Sequence, residues 1–371
     1  MSKPRIDVDL DKIRYNTRFL VDRLRPRGIT VTGVTKAVCG HPEIANAMLE
    51  GGATGLADAR ISNIKRMRDA GISCSISLIR TPMLSQVAQV LDNCDVSFNT
   101  EMDIIASLAI EAQRKNITHN IILMVEMGDM REGILPEHLE RTVSQVLRME
   151  GISLKGIGAN FACLGHVAPS AGAIELLSSL AVDTELASGP ALETVSGGGS
   201  ASLPWALGKG ATGKINNLRL GEAILLGTDP VSGHAIGGLY TDAFTLWAEV
   251  IETKAKSNPN PVQLNYPIPS MQCVTLESPS NTRSILAIGL QDTDAAGLVF
   301  PAGVTFAGAT SDHIVVETTN CLLGAGGEMK LRMKYSALSR GMAAPDVAKI
   351  FRGDSTLAER TAANTDRPYP K

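Results

Sequence analysis

Between about residues 29 and 227 the chain repeats one theme eight times: a short apolar, β-leaning run, then in most cases a stretch with helical spacing. The runs are "ITVTGVTK", "ATGLADA", "CSISLIR", "CDVSFNT", "NIILMVEM", "LKGIGANF", "LETVSGGG" and "NLRLGEAILLG". Between them lie segments such as "HPEIANAMLEGG", "ISNIKRMRDAG", "EMDIIASLAIEAQRKN" and "PEHLERTVSQVLRMEG". In the last of these, Leu139, Val143, Val146 and Leu147 fall on one helical face, and Gly151 offers a stop. Eight such alternations predict a parallel (β/α)₈ barrel of the TIM type, at the low end of the length that fold uses. An open, doubly wound sheet is the alternative on the same pattern.

Near Gly227 the rhythm changes. From "YTDAFTLWAEVIETKAK" onward the text is strand-like, with "SILAIG", "VTFAGA", "HIVVETT" and "EMKLRMKY" joined by Gly, Pro, Asn and Asp turns. A chain of 371 residues exceeds what one hydrophobic core usually holds, which fits two domains. The expected division is residues 1–230 for the barrel and 231–371 for a mostly antiparallel β domain, with a first strand at about 4–10 able to pair with the latter. "KSNPNPVQLNYPIPS", from Lys256 to Ser270, is the most loop-like stretch.

Composition narrows the function classes. A net charge of -3 provides no basic footprint for nucleic acid, and 4% aromatic residues disfavour base stacking. The start "MSKPRIDVDLDKI" has no apolar leader and no later stretch is built to span a bilayer, so the expected place is the cytoplasm. Six scattered cysteines without a C-x-x-C pair argue against a zinc site or a disulfide framework, and no metal is expected.

In a barrel of this kind the βα loops at the C-terminal strand ends make the site. Those ends offer Lys36, Asp58, Arg80, Asn99, Arg131, Asn160, the run Gly197–Ser200 and Arg219. Lys36 ends an apolar strand with no acidic residue close in sequence, a position suited to a Schiff-base nucleophile or to plain snorkelling. Gly197, Gly198 and Gly199 let a ligand approach the backbone, and Ser200 adds two donors, which together suit a phosphate. At 208–215, "GKGATGKI" spells G-x-G-x-x-G but precedes a strand instead of opening a helix. It also lacks the Ser or Thr of a P-loop, since Ile215 stands there.

A lysine after the first barrel strand, a glycine–serine loop after the seventh and an arginine on the eighth, with a β domain behind them, resemble fold-type III pyridoxal-phosphate enzymes, the alanine racemase-like family. The resemblance runs over about residues 5 to 340. It is closest to the ornithine racemase-like branch, carried by "TGVTKAVCGHPEIA", "GANFACLG", "LRLGEAILLG", "TDAFTL", "GLQDTD" and "SDH". It implies pyridoxal 5′-phosphate held by Lys36, with Ser200, Gly199, Gly221 and Tyr335 on the phosphate. It also implies Arg219 facing the pyridine nitrogen, Asn160 beside the ring, and Arg131 near the substrate carboxylate. Ser311 and Asp312 match a motif that reaches the site from the partner subunit, and Tyr266 matches the tyrosine that acts as second base.

Two departures point away from alanine as substrate. Met124 stands where many alanine racemases carry a modified lysine, and "KAVCGH" puts Cys39 and Gly40 where a tyrosine is usual. The implied activity is racemisation of a small amino acid, ornithine, lysine or similar, by proton transfer on both faces of Cα in a homodimer with shared sites. The competing readings are a D-threonine aldolase-like lyase, a non-catalytic pyridoxal-phosphate protein and a plain phosphate-ligand binder.

Overall fold

The structure, a computed structural model, describes residues 4–164, 167–189, 191–255, 282–318 and 323–353. The chain divides into two compact units, one running from Asp9 to Ala243, the other combining the chain up to Val8 with Phe244–Arg352.

Strand β1 (Arg5–Asp9) leads into helix α1 (Leu10–Leu24), whose first turn is capped by the Asp9 carboxylate accepting from the Lys12 amide. Eight parallel strands then close into a barrel: β2 (Thr30–Val34), β3 (Gly55–Asp58), β4 (Ile76–Leu78), β5 (Val96–Asn99), β6 (His119–Val125), β7 (Ile152–Ala159), β8 (Thr194–Ser196) and β9 (Asn217–Leu220). Pairing of β9 with β2, Leu218 against Val31, shuts the ring, so the sheet is a closed barrel and not an open one. Each strand falls on one of the eight apolar runs, β6 and β7 beginning slightly ahead of theirs. Helices α2 (Pro42–Glu50), α3 (Ile61–Asp69), α4 (Val87–Asn93), α5 (Met102–Arg114), α6 (Pro136–Val146) and α7 (Ala171–Ser188) fill the crossovers. The short α8 (Leu203–Ala206) and α9 (Glu222–Leu226) follow the last two strands.

Alternation along β6 sorts the core into two layers. Ile121, Leu123 and Val125 face outward against Leu139 and Val143 of α6 and Ile174 and Leu177 of α7. Ile122 and Met124 face inward with Phe98 of β5. Full burial of Leu139, Val143 and Val146 contributes about 1.5–3 kcal/mol apiece. The helix stops at Val146, ahead of the expected Gly151, because its last turn tightens: the amides of Arg148 and Met149 bond back to Gln145 and Val146. Leu147 is therefore left 45% exposed, and Gly151, at φ +83°, makes the turn into β7. In β7 the register slips by one residue at Lys155, and Gly156 lies so close to Thr194 that a Cβ there would overlap its carbonyl oxygen.

Beneath the helices, the buried His119 imidazole has Nε2 2.8 Å from Ser97 Oγ. Ser97 Oγ also accepts from Asn99 Nδ2 (2.9 Å). Burial pulls His119 down to about 4. Because the unfolded chain takes up this proton near pH 6.5, stability present above that pH is lost as the pH falls towards 4, roughly 3 kcal/mol in all. In urea titrations, moving from pH 7 to pH 5 is expected to cost the wild type about 2 kcal/mol more than it costs His119→Gln. Equal losses would show that the imidazole charges freely in the fold.

The second unit is a sheet ordered β12-β15-β10-β11-β14-β13, from β10 (Phe244–Ala255), β11 (Thr282–Leu286), β12 (Leu298–Val299), β13 (Val304–Ala309), β14 (Ile314–Thr318) and β15 (Glu328–Met333). The neighbours in this order run antiparallel. β1 pairs antiparallel with β10, and β16 (Ala348–Arg352) pairs with β1. Phe244, Leu246, Ala248 and Val250 of β10 are buried while the residues between them are half-exposed, the period-two pattern of a one-faced sheet. Helix α10 (Tyr335–Ala343) follows β15. The stretch Lys256–Ser270, and Tyr266 with it, lies outside the described residues. Among those described, no helix is long and apolar enough to cross a membrane.

Candidate active site

Lys36 leaves the C-terminal end of β2 in a single tight turn, Lys36–Val38. The turn is pinned from below. Thr35 Oγ1 donates to the buried Asp58 carboxylate at the end of β3 (2.7 Å), which also accepts from the Arg60 amide and from Asn63 Nδ2, both at 2.9 Å. Burial pushes the Asp58 carboxyl up, and these three donors work against that shift. Asp58 thus engages Thr35 and not the lysine. Lys36 itself is exposed, and among the described residues its amine has no hydrogen bond or ion pair. The turn closes through two left-handed residues, Cys39 (φ +54°) and Gly40 (φ +62°). A Cβ on Gly40 would come within 2.6 Å of the Asn63 carbonyl oxygen. The "CGH" wording therefore reflects a backbone that bulky residues would strain.

Next to β2 in the barrel comes β9, then β8, and the ends of these two supply a cradle. Gly198 (φ +95°) has no room for a side chain: a Cβ would meet Ser202 Oγ at 2.8 Å and the Phe161 ring at 2.9 Å. Ser200 is buried, and its Oγ accepts from the Ala223 amide (3.1 Å), leaving the hydroxyl proton free to point outward. Among the described residues no acceptor faces the amide N–H of Gly199, Ser200 or Gly221. Three donors at one rim are thus left to receive an acceptor from outside the protein, the kind of backbone concavity that suits an anion. Gly198→Ala is expected to lower stability by about 1–3 kcal/mol through the forced φ and the clash. Thermal denaturation checks this, and an unchanged midpoint would mean the loop relaxes at no cost.

Arg219, in mid-β9, is 6% exposed and points into the barrel. Its Nη1 donates to Ser196 Oγ (2.6 Å), and its Nη2 donates to the Ala159 carbonyl oxygen (2.8 Å) and to Asn160 Oδ1 (2.6 Å). The guanidinium lies 5.0 Å from the centre of the Phe98 ring. Burial pulls it down to about 10, so it stays charged at neutral pH. Among the described residues its Nε–H has no acceptor.

Arg131 sits in a loop folded around the Glu126 carboxylate, which accepts from the amides of Gly128, Met130 and Arg131. Its Nε lies 3.1 Å from the buried Asp129 carboxylate, and an Nη lies 3.4 Å from Glu132. Asp129 also accepts from the Leu164 amide (3.0 Å), tying this loop to the one after β7. Charges on Arg131, Asp129, Lys36 and Arg219 all act on the Cys163 thiol, which places the five groups in one electrostatic neighbourhood.

The alanine racemase N-terminal domain family matches residues 8–229. The chain belongs to the alanine racemase family. A lysine racemase from Thermotoga maritima is 33% identical over 95% of this chain and 99% of its own length. An ornithine racemase from Acetoanaerobium sticklandii is 32% identical over 93% and 99%. The crystal structure of an alanine racemase from a D-cycloserine-producing Streptomyces lavendulae superposes with a TM-score of 0.73, covering 96% of this chain and 98% of that one at 19% identity, which speaks for the fold.

For this alanine racemase family member the barrel brings together Lys36, Asn160, Gly199, Ser200, Arg219 and Gly221 on neighbouring strand ends, with Arg131 in electrostatic reach of Arg219. Asp312 and Tyr335 belong to the β unit. There Asp312 accepts from Gln291 Nε2 (3.1 Å) and Ser311 Oγ (2.8 Å), and Tyr335 opens α10. Sequence reasoning did not single out Phe98, Asp129, Cys163, Ser196 or Asn217. Each lies at or next to one of the eight strand runs or the "EMGDMREG" loop, so strand-end position was the signal available.

Proposed function

We propose that the protein is a pyridoxal-phosphate-dependent racemase of basic amino acids, lysine or ornithine. One observation carries the reading: among the described residues, neighbouring strand ends present a lysine amine without a partner, three uncommitted amide donors and a buried, charged arginine with a free Nε–H. That donor set fits an aldehyde-bearing, phosphorylated pyridine ring. When bound, pyridoxal phosphate would supply an electron sink that acidifies the Cα proton of an amino acid joined to it.

The chain's own residues do the rest. Lys36 anchors the cofactor and then holds or returns the Cα proton on one face. Gly199, Ser200 and Gly221 hold the phosphate, and Arg219, locked by Ala159, Asn160 and Ser196, partners the ring nitrogen without giving up its own proton. Arg131, steadied by Asp129, holds the substrate carboxylate. A homodimer completes the reading, with Tyr266 as the base on the opposite face, Asp312 reaching the site from the partner subunit and Tyr335 as a further phosphate contact.

Support for a basic substrate comes from the two relatives that match nearly the whole chain, a lysine and an ornithine racemase. Chiral chromatography of a panel of L-amino acids incubated with the holoprotein tests this. Lysine or ornithine is expected to lose stereochemistry fastest. Inversion of none would refute the racemase reading, and release of an aldehyde from a β-hydroxy amino acid would favour the lyase.

A further inference from the structure

The floor of the barrel is open where such floors are usually packed with branched apolar side chains. A cavity of about 170 Å³ enters at the N-terminal ends of the strands, lined by Thr30, Thr32, Thr54, Ser75, Ser77 and Asn217, and reaches Arg219 and Phe98 at its inner end. It has room for several waters. Solvent can therefore approach Arg219 from behind, on the side away from the catalytic rim.

One hydrogen-bonded chain stands in its way. Arg219 can only donate, so Ser196 Oγ accepts from Nη1 (2.6 Å). Ser196 must then spend its own proton, and Asn217 Oδ1 takes it (2.9 Å). That fixes the amide the other way round, with Nδ2 donating to Thr32 Oγ1 (2.9 Å) and Thr30 Oγ1 (3.2 Å). A flipped amide would take away the acceptor of the Ser196 proton and turn Oδ1 towards Thr30 and Thr32. Asn217 is 8% exposed and sits two residues before Arg219 on the same inward face of β9. Nη2 is anchored to the Ala159 carbonyl oxygen and to Asn160 Oδ1, while among the described residues Nη1 depends on this side-chain chain alone.

We propose that Asn217 is a positioning residue: acting through Ser196 from the barrel floor, it fixes the plane of the Arg219 guanidinium and hence the aim of its Nε–H. The inference rests on the reading that Arg219 partners the ring nitrogen of pyridoxal phosphate. Without the chain, water in the shaft competes for Nη1 and the guanidinium turns about Nη2, which Ala159 and Asn160 still hold.

The test uses Asn217→Leu, Ser196→Ala and Ser196→Thr, with Thr194→Val as a control that alters the shaft lining without touching the chain. Apoprotein is titrated with pyridoxal phosphate, and holoprotein is assayed for kcat, KM and the pyridoxamine phosphate formed per inversion. Asn217→Leu and Ser196→Ala are expected to bind the cofactor about tenfold more weakly. Their kcat falls about tenfold to a hundredfold with KM within about twofold, and their side product per inversion rises. Ser196→Thr, which keeps the hydroxyl, regains part of the affinity and of the product ratio that Ser196→Ala loses, and Thr194→Val stays near wild type. Should Asn217→Leu fail to fold, the Ser196 pair decides, since it breaks and restores the same chain one link nearer Arg219. Wild-type affinity and wild-type side-product ratio in Asn217→Leu or in Ser196→Ala would overturn the proposal. A wild-type apoprotein that takes up no pyridoxal phosphate would overturn the functional reading as well.

Discussion

A Lys36→Ala protein is expected to fold like the wild type, to lose the visible absorbance of lysine-bound pyridoxal phosphate, and to racemise about 10⁴-fold more slowly or worse. Stability is spared because the side chain is exposed and, among the described residues, makes no hydrogen bond or ion pair, so its removal falls within about 0.5 kcal/mol. Its turn is held by Thr35, Asp58 and Asn63, none of which the substitution touches. The loss in rate is large because one residue has two duties in the proposed function, anchoring the cofactor and moving a proton on one face of Cα. Borohydride reduction of the wild type should fix the cofactor on the peptide containing Lys36. A Lys36→Ala protein that keeps the absorbance band and the activity would remove this lysine from the site.

The barrel was legible because its eight strands are apolar runs and its helices carry regular spacing, as with Leu139, Val143 and Val146 on α6. Lys36 and the Gly197–Ser200 loop were legible because a charge at a strand end and three successive glycines are local anomalies. What sequence could not reach were pairings made across the barrel. Arg219 meets Ala159 and Asn160 from sixty residues away and Ser196 from twenty-three, and nothing local marks Ser196 as its acceptor. Asn217 reads as an ordinary strand residue until Thr30 and Thr32, far back in the chain, arrive beside it. The polar floor was hidden for a related reason: Thr30, Thr32, Ser75 and Ser77 are β-compatible small residues, and only closure of the ring turns them towards one shaft. Helix ends were blurred where short-range bonding extends a turn past its last α-helical residue, as beyond Val146.

Arg219→Glu is expected to damage both fold and chemistry. The guanidinium is almost wholly buried and serves three oxygens at once. A glutamate in its place sets a carboxylate against the Ala159 carbonyl, which can only accept, and removes the cation from the face of Phe98. Ser196 and Asn160 can turn donors inward, but the buried charge then lacks a cationic partner of its own, a loss of about 3–5 kcal/mol. Arg219→Lys keeps the charge while reaching at most part of the acceptor set, so its loss is smaller, about 1–3 kcal/mol. In the proposed reaction a charged arginine at the ring nitrogen keeps that nitrogen unprotonated, since burial leaves the guanidinium at about 10 and charged near neutral pH. A glutamate carboxylate in this place would hold the ring nitrogen protonated, and the stronger electron sink that pyridoxal phosphate would then supply favours return of the proton to the cofactor instead of to Cα. Racemisation is therefore expected to fall about 10²–10³-fold while transamination per inversion rises. Denaturant titration and product analysis on the same preparation separate the two effects. An Arg219→Glu protein with wild-type stability and a wild-type side-product ratio would mean that the arginine neither holds the barrel interior together nor faces the ring.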